Sequence, residues 1–203
     1  TGYPIEDLAL RGSFQRASAA ALGELARSMA DDGFGDLTVV VGFLDALGDD
    51  DGGEPGRPRG GARNAAAVIH DGAVQGVYAK HHLPNYGVFD EFRYFVPGET
   101  PLAIDLAGTR VAVTICEDLW QSGGPVARVP EIDAGLLLVL NGSPYERSKD
   151  DLRLALCRRR AAEAGATLAY VNMIGGQDEL VFDGDSMVVS PDGTLLTRAY
   201  EFV

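Results

Sequence analysis

Two side chains of this chain have the type and setting for nucleophilic chemistry. Cys116 ends the run Arg110-Val-Ala-Val-Thr-Ile-Cys-Glu-Asp-Leu-Trp120. The five residues before it are apolar or β-branched, the pattern of a buried strand. Glu117 and Asp118 follow at once, and acidic residues favour the first turn of a helix. A cysteine on such a strand-to-helix turn is held rigidly, and the N–H groups of a helix start favour its thiolate. The ordinary alternative is a small core residue after an apolar strand. Lys80 ends a second β-branched and aromatic run, Gly76-Val-Tyr-Ala-Lys80, and Leu83-Pro84 then stops the strand because proline cannot donate to a ladder. Alone, such a lysine reads as a solvated charge. Beside a strand-end cysteine it becomes a buried cation able to hold a thiolate or a developing oxyanion.

The elements that must position these residues alternate between strands and helices. Ser13 is expected to cap a helix running to about Asp31, with Phe14, Ala17, Ala21, Leu25 and Met29 near one face. Leu37–Phe43 reads as a buried strand. Residues 46–62, rich in Asp, Gly, Pro and Arg, read as a mobile surface loop rather than a domain linker. Residues 65–71 and 73–79 flank Asp71-Gly72, a strong hairpin turn. Leu102–Leu106 and Thr109–Ile115 make a second hairpin across Ala107-Gly108. Leu136–Leu140 and Thr167–Met173 are further strands, and the charged helix from Ser148 ends at Gly165. Residues 186–189 and 195–200 flank Pro191-Asp-Gly193. Hairpins mixed with strand–helix units point to an α/β fold. Three loops at strand ends are candidates for a pocket. They carry Lys80 and Tyr86; Cys116, Glu117 and Trp120; and Asn141-Gly-Ser143-Pro-Tyr-Glu-Arg147-Ser-Lys149. An ordinary turn is the plain reading of Asn141-Gly-Ser-Pro. Cys157, in mid-helix between Leu156 and Arg158, reads as a packing residue.

Composition narrows the function classes. The 203 residues suffice for one domain with a sizeable core, and 46% of them are hydrophobic. A net charge of −13 argues against a nucleic-acid partner, which requires a basic face. No apolar run approaches about 20 residues, so no membrane span is expected. The expected location is cytoplasmic. Two cysteines are not a disulfide scaffold, and no Cys/His cluster has zinc spacing. His81 and His82 are adjacent, so on a strand they would point to opposite faces.

Lys80-His-His-Leu-Pro-Asn-Tyr, Glu91-Phe-Arg-Tyr-Phe-Val-Pro-Gly and Ile115-Cys-Glu-Asp-Leu-Trp together resemble the nitrilase superfamily of carbon–nitrogen hydrolases. Thr1-Gly-Tyr-Pro-Ile-Glu-Asp-Leu8 and Gly175-Gly-Gln-Asp-Glu-Leu-Val-Phe-Asp-Gly-Asp-Ser186 narrow the resemblance to the glutaminase domains of glutamine-dependent NAD synthetases. The resemblance runs over essentially the whole chain. It implies a four-layer α-β-β-α sandwich, of which residues 1–203 form a single partial domain, with the ATP-binding synthetase domain outside the chain. It implies a Glu-Lys-Cys triad in which Lys80 and Cys116 are two members, with Glu91 the second glutamate near the lysine. The triad glutamate and the first strand are expected ahead of Thr1. Glu6 reads instead as the start of a helix. The resemblance further implies that Tyr86, Glu117, Ser143 and Lys149 bind glutamine, with Trp120 beside them. A zwitterionic amino acid needs an anion for its ammonium and a cation or hydroxyls for its carboxylate. Glu117 suits the first role, and Ser143 with Lys149 or Arg147 the second. No cofactor is expected in this domain; ATP, Mg and deamido-NAD belong with the synthetase domain. A homo-oligomer is implied, with no nucleic-acid or membrane partner.

Three rival readings follow from the same residues. They are a stand-alone amidase or carbamoylase acting on another small amide, a non-catalytic regulatory or assembly module, and a thiol redox protein. The last is weak because Cys116 has no neighbouring cysteine.

Overall fold

The computed structural model describes residues 2–47 and 61–203. The mobile loop expected at 46–62 falls mainly on residues outside that range. The chain forms two compact units, residues 1–100 and 101–203.

The first unit opens with a 3-10 helix at Glu6–Leu10, so the acidic pair Glu6-Asp7 does begin a helical turn. Helix α1 (Gly12–Asp31) follows and lies against an antiparallel sheet of β1 (Val39–Ala46), β2 (Ala62–His70) and β3 (Ala73–Ala79), in that spatial order. Asp71 and Gly72 both take positive φ, 48° and 71°, as a tight two-residue hairpin turn requires. Two expectations about α1 are corrected. Ser13 is not its cap: Arg11 occupies the N-cap position and no side chain caps it. The inward face is shifted by one residue, with Gln15, Ser18 and Ala26 buried and Ala17, Ala21 and Leu25 exposed. Gln15 donates to the Ala9 carbonyl at 2.7 Å, and the Ser18 hydroxyl accepts the Leu44 N–H at 3.0 Å. These bonds let two polar residues sit inward. The strand expected from Leu37 starts at Val39, leaving Leu37 exposed. A one-turn helix, α2 (Glu91–Tyr94), completes the unit.

The second unit is a mixed six-stranded sheet in the order β11-β10-β7-β6-β5-β4. The hairpin β4 (Leu102–Leu106) and β5 (Thr109–Ile115) has the expected bounds. After β5 come two single-turn helices, α3 (Glu117–Trp120) and α4 (Gly124–Ala127). Strand β6 (Leu136–Asn141) leads through a loop to α5 (Lys149–Ala164), and Gly165 ends that helix at φ 60°. Strand β7 (Thr167–Asn172) completes a parallel trio with β5 and β6. A separate hairpin, β8 (Ile174–Gln177) and β9 (Leu180–Asp183), occupies the Gly175-Gly-Gln-Asp stretch. Strands β10 (Met187–Val189) and β11 (Leu195–Arg198) close the sheet edge. Leu156, Cys157, Ala161 and Ala164 of α5 pack on Leu137, Val139, Leu168, Tyr170 and Met187 of the sheet. The buried face of α5 follows the i, i+3, i+4, i+7 spacing, and Arg153 and Arg160 lie on it. No helix of the described residues is long and apolar enough to cross a membrane.

Candidate active site

In the first unit, Lys80 follows directly on β3. Its N–H continues the ladder to the Asn64 carbonyl at 2.8 Å, and its own carbonyl accepts the Gly98 N–H at 2.8 Å. The side chain is 1% exposed and its Nζ donates to both Glu91 oxygens, at 2.8 and 2.9 Å. Glu91, buried in the first turn of α2, also accepts from the Tyr3 hydroxyl at 2.7 Å and from Asn64 Nδ2 at 3.3 Å. A buried carboxylate that accepts from this many donors is held in one orientation, and it holds the lysine in turn. Gly98 belongs to the same clasp, because a Cβ there would stand 2.3 Å from the Ala79 carbonyl oxygen. His81 and His82 follow β3 rather than lying on it. Their rings meet edge to face at 4.6 Å, and His81 Nδ1 sits 2.7 Å from the Gly98 carbonyl. Tyr86 is exposed, with its ring against Phe89.

In the second unit the three parallel strands end side by side, and the loops that leave them carry the remaining candidates. Carboxyl ends of parallel strands are where open α/β sheets bind ligands. Cys116 is buried at the junction of β5 and α3, with φ 47° and ψ −97°. That backbone conformation is strained for any residue with a Cβ. Three contacts impose it: Cys116 N–H reaches the Leu140 carbonyl at 2.9 Å, Leu119 N–H reaches the Cys116 carbonyl at 2.9 Å, and Asp118 Oδ2 accepts the Ile115 N–H at 3.1 Å. The helix behind the cysteine is a single turn. The expected aid from a full helix start is therefore reduced to the local N–H groups of the turn. Arg160 fixes the far end of α3, donating to the carbonyls of Leu119, Trp120 and Gln121 at 2.6, 3.1 and 2.5 Å. Glu117 is buried and accepts from Gln121 Nε2 at 3.1 Å.

The loop after β6 is fixed from several sides. Asn172, the last residue of β7, accepts the Ser143 N–H at 2.9 Å and donates to the Ser143 carbonyl at 3.2 Å. Arg153, fully buried on α5, donates to the Ser143 carbonyl at 3.0 Å, the Pro144 carbonyl at 3.2 Å and Asp183 Oδ2 at 2.6 Å. Burial works against its charge, but the Asp183 hydrogen bond and the neighbouring Tyr170, Asp183 and Asp185 outweigh it and raise its pKa. Ser143 is 3% exposed, with Oγ 3.4 Å from the Arg153 guanidinium. Lys149 donates to the Pro144 carbonyl at 3.3 Å and lies 5.9 Å from the centre of the Trp120 ring. Arg147 is exposed on the same loop. The Tyr170 hydroxyl is buried beside Ser143 without completing a hydrogen bond, and burial, with Cys116 near it, raises its pKa. Cys157 is in the core, its thiol pushed up to about 12 by burial.

Lys80, Glu91 and Tyr86 thus stand in the first unit, with the first two in direct contact. Cys116, Glu117, Trp120, Ser143 and Lys149 stand in the second, around the ends of β5 and β6. Arg153, Arg160, Asn172, Asp183 and Tyr3 were not singled out from the sequence. The signal for the two arginines was their register with the apolar stripe Leu156, Cys157, Ala161 and Ala164. Among the described residues, no three His, Cys, Asp or Glu side chains gather as a metal site.

The sequence profile of the carbon-nitrogen hydrolase family matches residues 17–203. The chain is 45% identical over 197 residues to the glutamine-dependent NAD(+) synthetase of Thermotoga maritima, covering 96% of this chain and 31% of that protein. It is 41% identical over 202 residues to the corresponding synthetase of Aquifex aeolicus, covering 100% of this chain and 33% of that protein. The chain therefore spans about a third of the length of these relatives. The structure of the glutamine-dependent NAD+ synthetase of Acinetobacter baumannii, solved with ADP, superposes with a TM-score of 0.87 at 38% identity, covering 100% of this chain and 35% of that one. An amidase from Nesterenkonia sp. superposes with a TM-score of 0.75 at 27% identity, covering 98% of this chain and 69% of that one. The α/β fold is the one these proteins have.

Proposed function

Because this chain belongs to the carbon–nitrogen hydrolase family, we propose that it is the glutamine-hydrolysing part of a glutamine-dependent NAD synthetase. The observation that carries this reading is a chain-long match to such synthetases. It is joined by a cysteine held at positive φ where a parallel strand ends.

In the proposed reaction, the Cys116 thiolate attacks the side-chain amide carbon of glutamine and a tetrahedral oxyanion forms. By resemblance to the family, Lys80 and the backbone N–H of Glu117 hold that oxyanion. The carbon–nitrogen bond breaks, and the nitrogen leaves as ammonia after taking the proton first lost by the thiol. By the same resemblance, the glutamate of the family's triad carries that proton. Water then attacks the glutamyl thioester, giving glutamate and restoring the thiol. Glu91 is a positioning residue for Lys80. Glu117 receives the substrate ammonium, and Ser143 and Lys149 its carboxylate; the family resemblance assigns Tyr86 and Trp120 to the substrate as well. The ammonia is consumed at a synthetase domain that uses ATP and Mg to convert deamido-NAD to NAD, and the proposed setting is a cytoplasmic homo-oligomer. Likeness to an amidase favours the second reading, an enzyme acting on another small amide.

The test is Cys116→Ala in the full-length protein. Glutamine-driven NAD formation should vanish while formation from free ammonia survives. Retention of more than a few per cent of glutamine-driven activity would refute the nucleophile. A glutamine rate no better than that of simple amides would favour the amidase.

A further inference from the structure

Arg153 is fully buried, and its guanidinium joins several groups of the second unit in one hydrogen-bonded cluster. One terminal nitrogen pairs with Asp183 at 2.6 Å and lies 4.0 Å from Asp185. The other reaches the Ser143 and Pro144 carbonyls. Asn172 closes the circuit, bonding both main-chain groups of Ser143 and lying 3.4 Å from Asp183 Oδ1. Asp185 is held by Arg198 at 2.5 and 3.0 Å. Pro144 has no N–H, so the Ser143–Pro144 peptide can be anchored only through its carbonyl, which Arg153 and Asn172 hold. The Pro144 carbonyl takes both Arg153 and Lys149. A backbone bond from the Tyr145 N–H to the Val181 carbonyl at 2.8 Å holds the next residue, and side chains hold the carbonyls of Ser143 and Pro144. A single-point cation would not reach both ends, because the carboxylate and the two carbonyls need a planar fork.

We propose that Arg153 is a positioning residue for substrate selection: by locking the Ser143–Pro144 loop it presents Ser143 and Lys149 to the carboxylate of an amino-acid amide, and so sets the preference for glutamine over amides without that group. This rests on the glutaminase reading. The nucleophile turn is held by other bonds, from Leu140, Asp118 and Arg160. Loss of the Arg153 lock should therefore leave the reactivity of Cys116 intact.

The experiment uses the full-length protein and two cysteine-directed reagents. One is a glutamine-mimicking diazoketone bearing the amino-acid end; the other is iodoacetamide, which lacks it. Arg153→Met leaves Asp183 without its buried cation and is vulnerable to misfolding. Arg153→Lys keeps the charge but cannot span both ends, and decides the matter if the first variant fails to fold. In Arg153→Lys, the KM for glutamine should rise about 10-fold with kcat nearly unchanged, the scale of one lost charge-assisted bond in the loop. Alkylation by the diazoketone should slow by a similar factor, and alkylation by iodoacetamide should stay within about twofold. Equal slowing of both reagents would overturn the proposal by showing a general structural role. An unchanged KM and unchanged labelling would overturn it as well. If the unmodified protein itself shows no preference for the diazoketone over iodoacetamide, the glutaminase reading fails, and the proposal with it.

Discussion

The strain at Cys116 has a measurable size. At φ 47° and ψ −97°, a Cβ crowds the backbone, at a cost of about 1–3 kcal/mol. Cys116→Ala keeps the Cβ and thus the strain, whereas Cys116→Gly removes both. Against that relief, glycine loses about 0.4–1 kcal/mol more through the greater freedom of its unfolded chain. It also gives up a buried methyl, worth about 0.8 kcal/mol. From the middle of these ranges, Cys116→Gly should be more stable than Cys116→Ala by about 0.5 kcal/mol. The control is Ala112→Gly on the same strand, a residue 2% exposed in ordinary strand conformation. With no strain to relieve, it should lose about 1.5 kcal/mol. In thermal melts each kcal/mol corresponds to about 2–4 °C for a domain of this size. The glycine variant at 116 should therefore melt at or slightly above its alanine counterpart, while Ala112→Gly melts several degrees below the parent. If Cys116→Gly falls below Cys116→Ala by as much as the control falls, the turn holds no strain and the reasoning is wrong.

Other expectations concern the surroundings of the turn. Lys80→Met should lower kcat by about 100-fold or more, as removal of an oxyanion donor does, and near-normal turnover would remove Lys80 from the reaction. Gly98→Ala drives a methyl into the Ala79 carbonyl and should destabilise by about 1–3 kcal/mol, read as a lower melting temperature. Cys157, with its thiol pushed up to about 12, should resist iodoacetamide at pH 8 while Cys116 reacts, as peptide mapping would reveal. The folded protein favours the neutral Cys157 thiol, so its contribution to stability is intact below the ordinary value of 9.0 and falls as pH rises toward about 12. Cys157→Ala should flatten that part of the stability profile.

The sheet was largely legible because hairpin turns and β-branched runs are local signals. Asp71-Gly72 and Ala107-Gly108 bracket their strands as the turn chemistry demands. The face of α1 was misread by one residue because it is rich in alanine, which marks no side. Two specific bonds, from Gln15 and to Ser18, decide the matter instead. The β8–β9 hairpin was missed because Gly175 and Gly176 lack strand propensity, and Asp178 turns the chain at φ 51°. Lys80, Glu91 and Cys116 could be named from their motifs. Arg153 and Asn172 could not, because their partners Ser143 and Asp183 are brought together only by the tertiary fold. Tyr3 is a comparable case, meeting Glu91 across 88 positions of sequence.

Arg153 and Arg160 stand on one face of α5, seven residues and so about 10 Å apart along its axis. The first grips the loop after β6 and the second grips the turn after β5. Helix α5 is therefore a rigid crossbar with a hand on each of two loops. A shift of the helix by a fraction of a turn would displace both grips together, changing the attitude of the thiol and the proposed seat for the substrate in one movement. The opposite face of the crossbar, with Leu152 and Arg159, is open to solvent. A load applied there would be felt at two places in the chemistry without touching either.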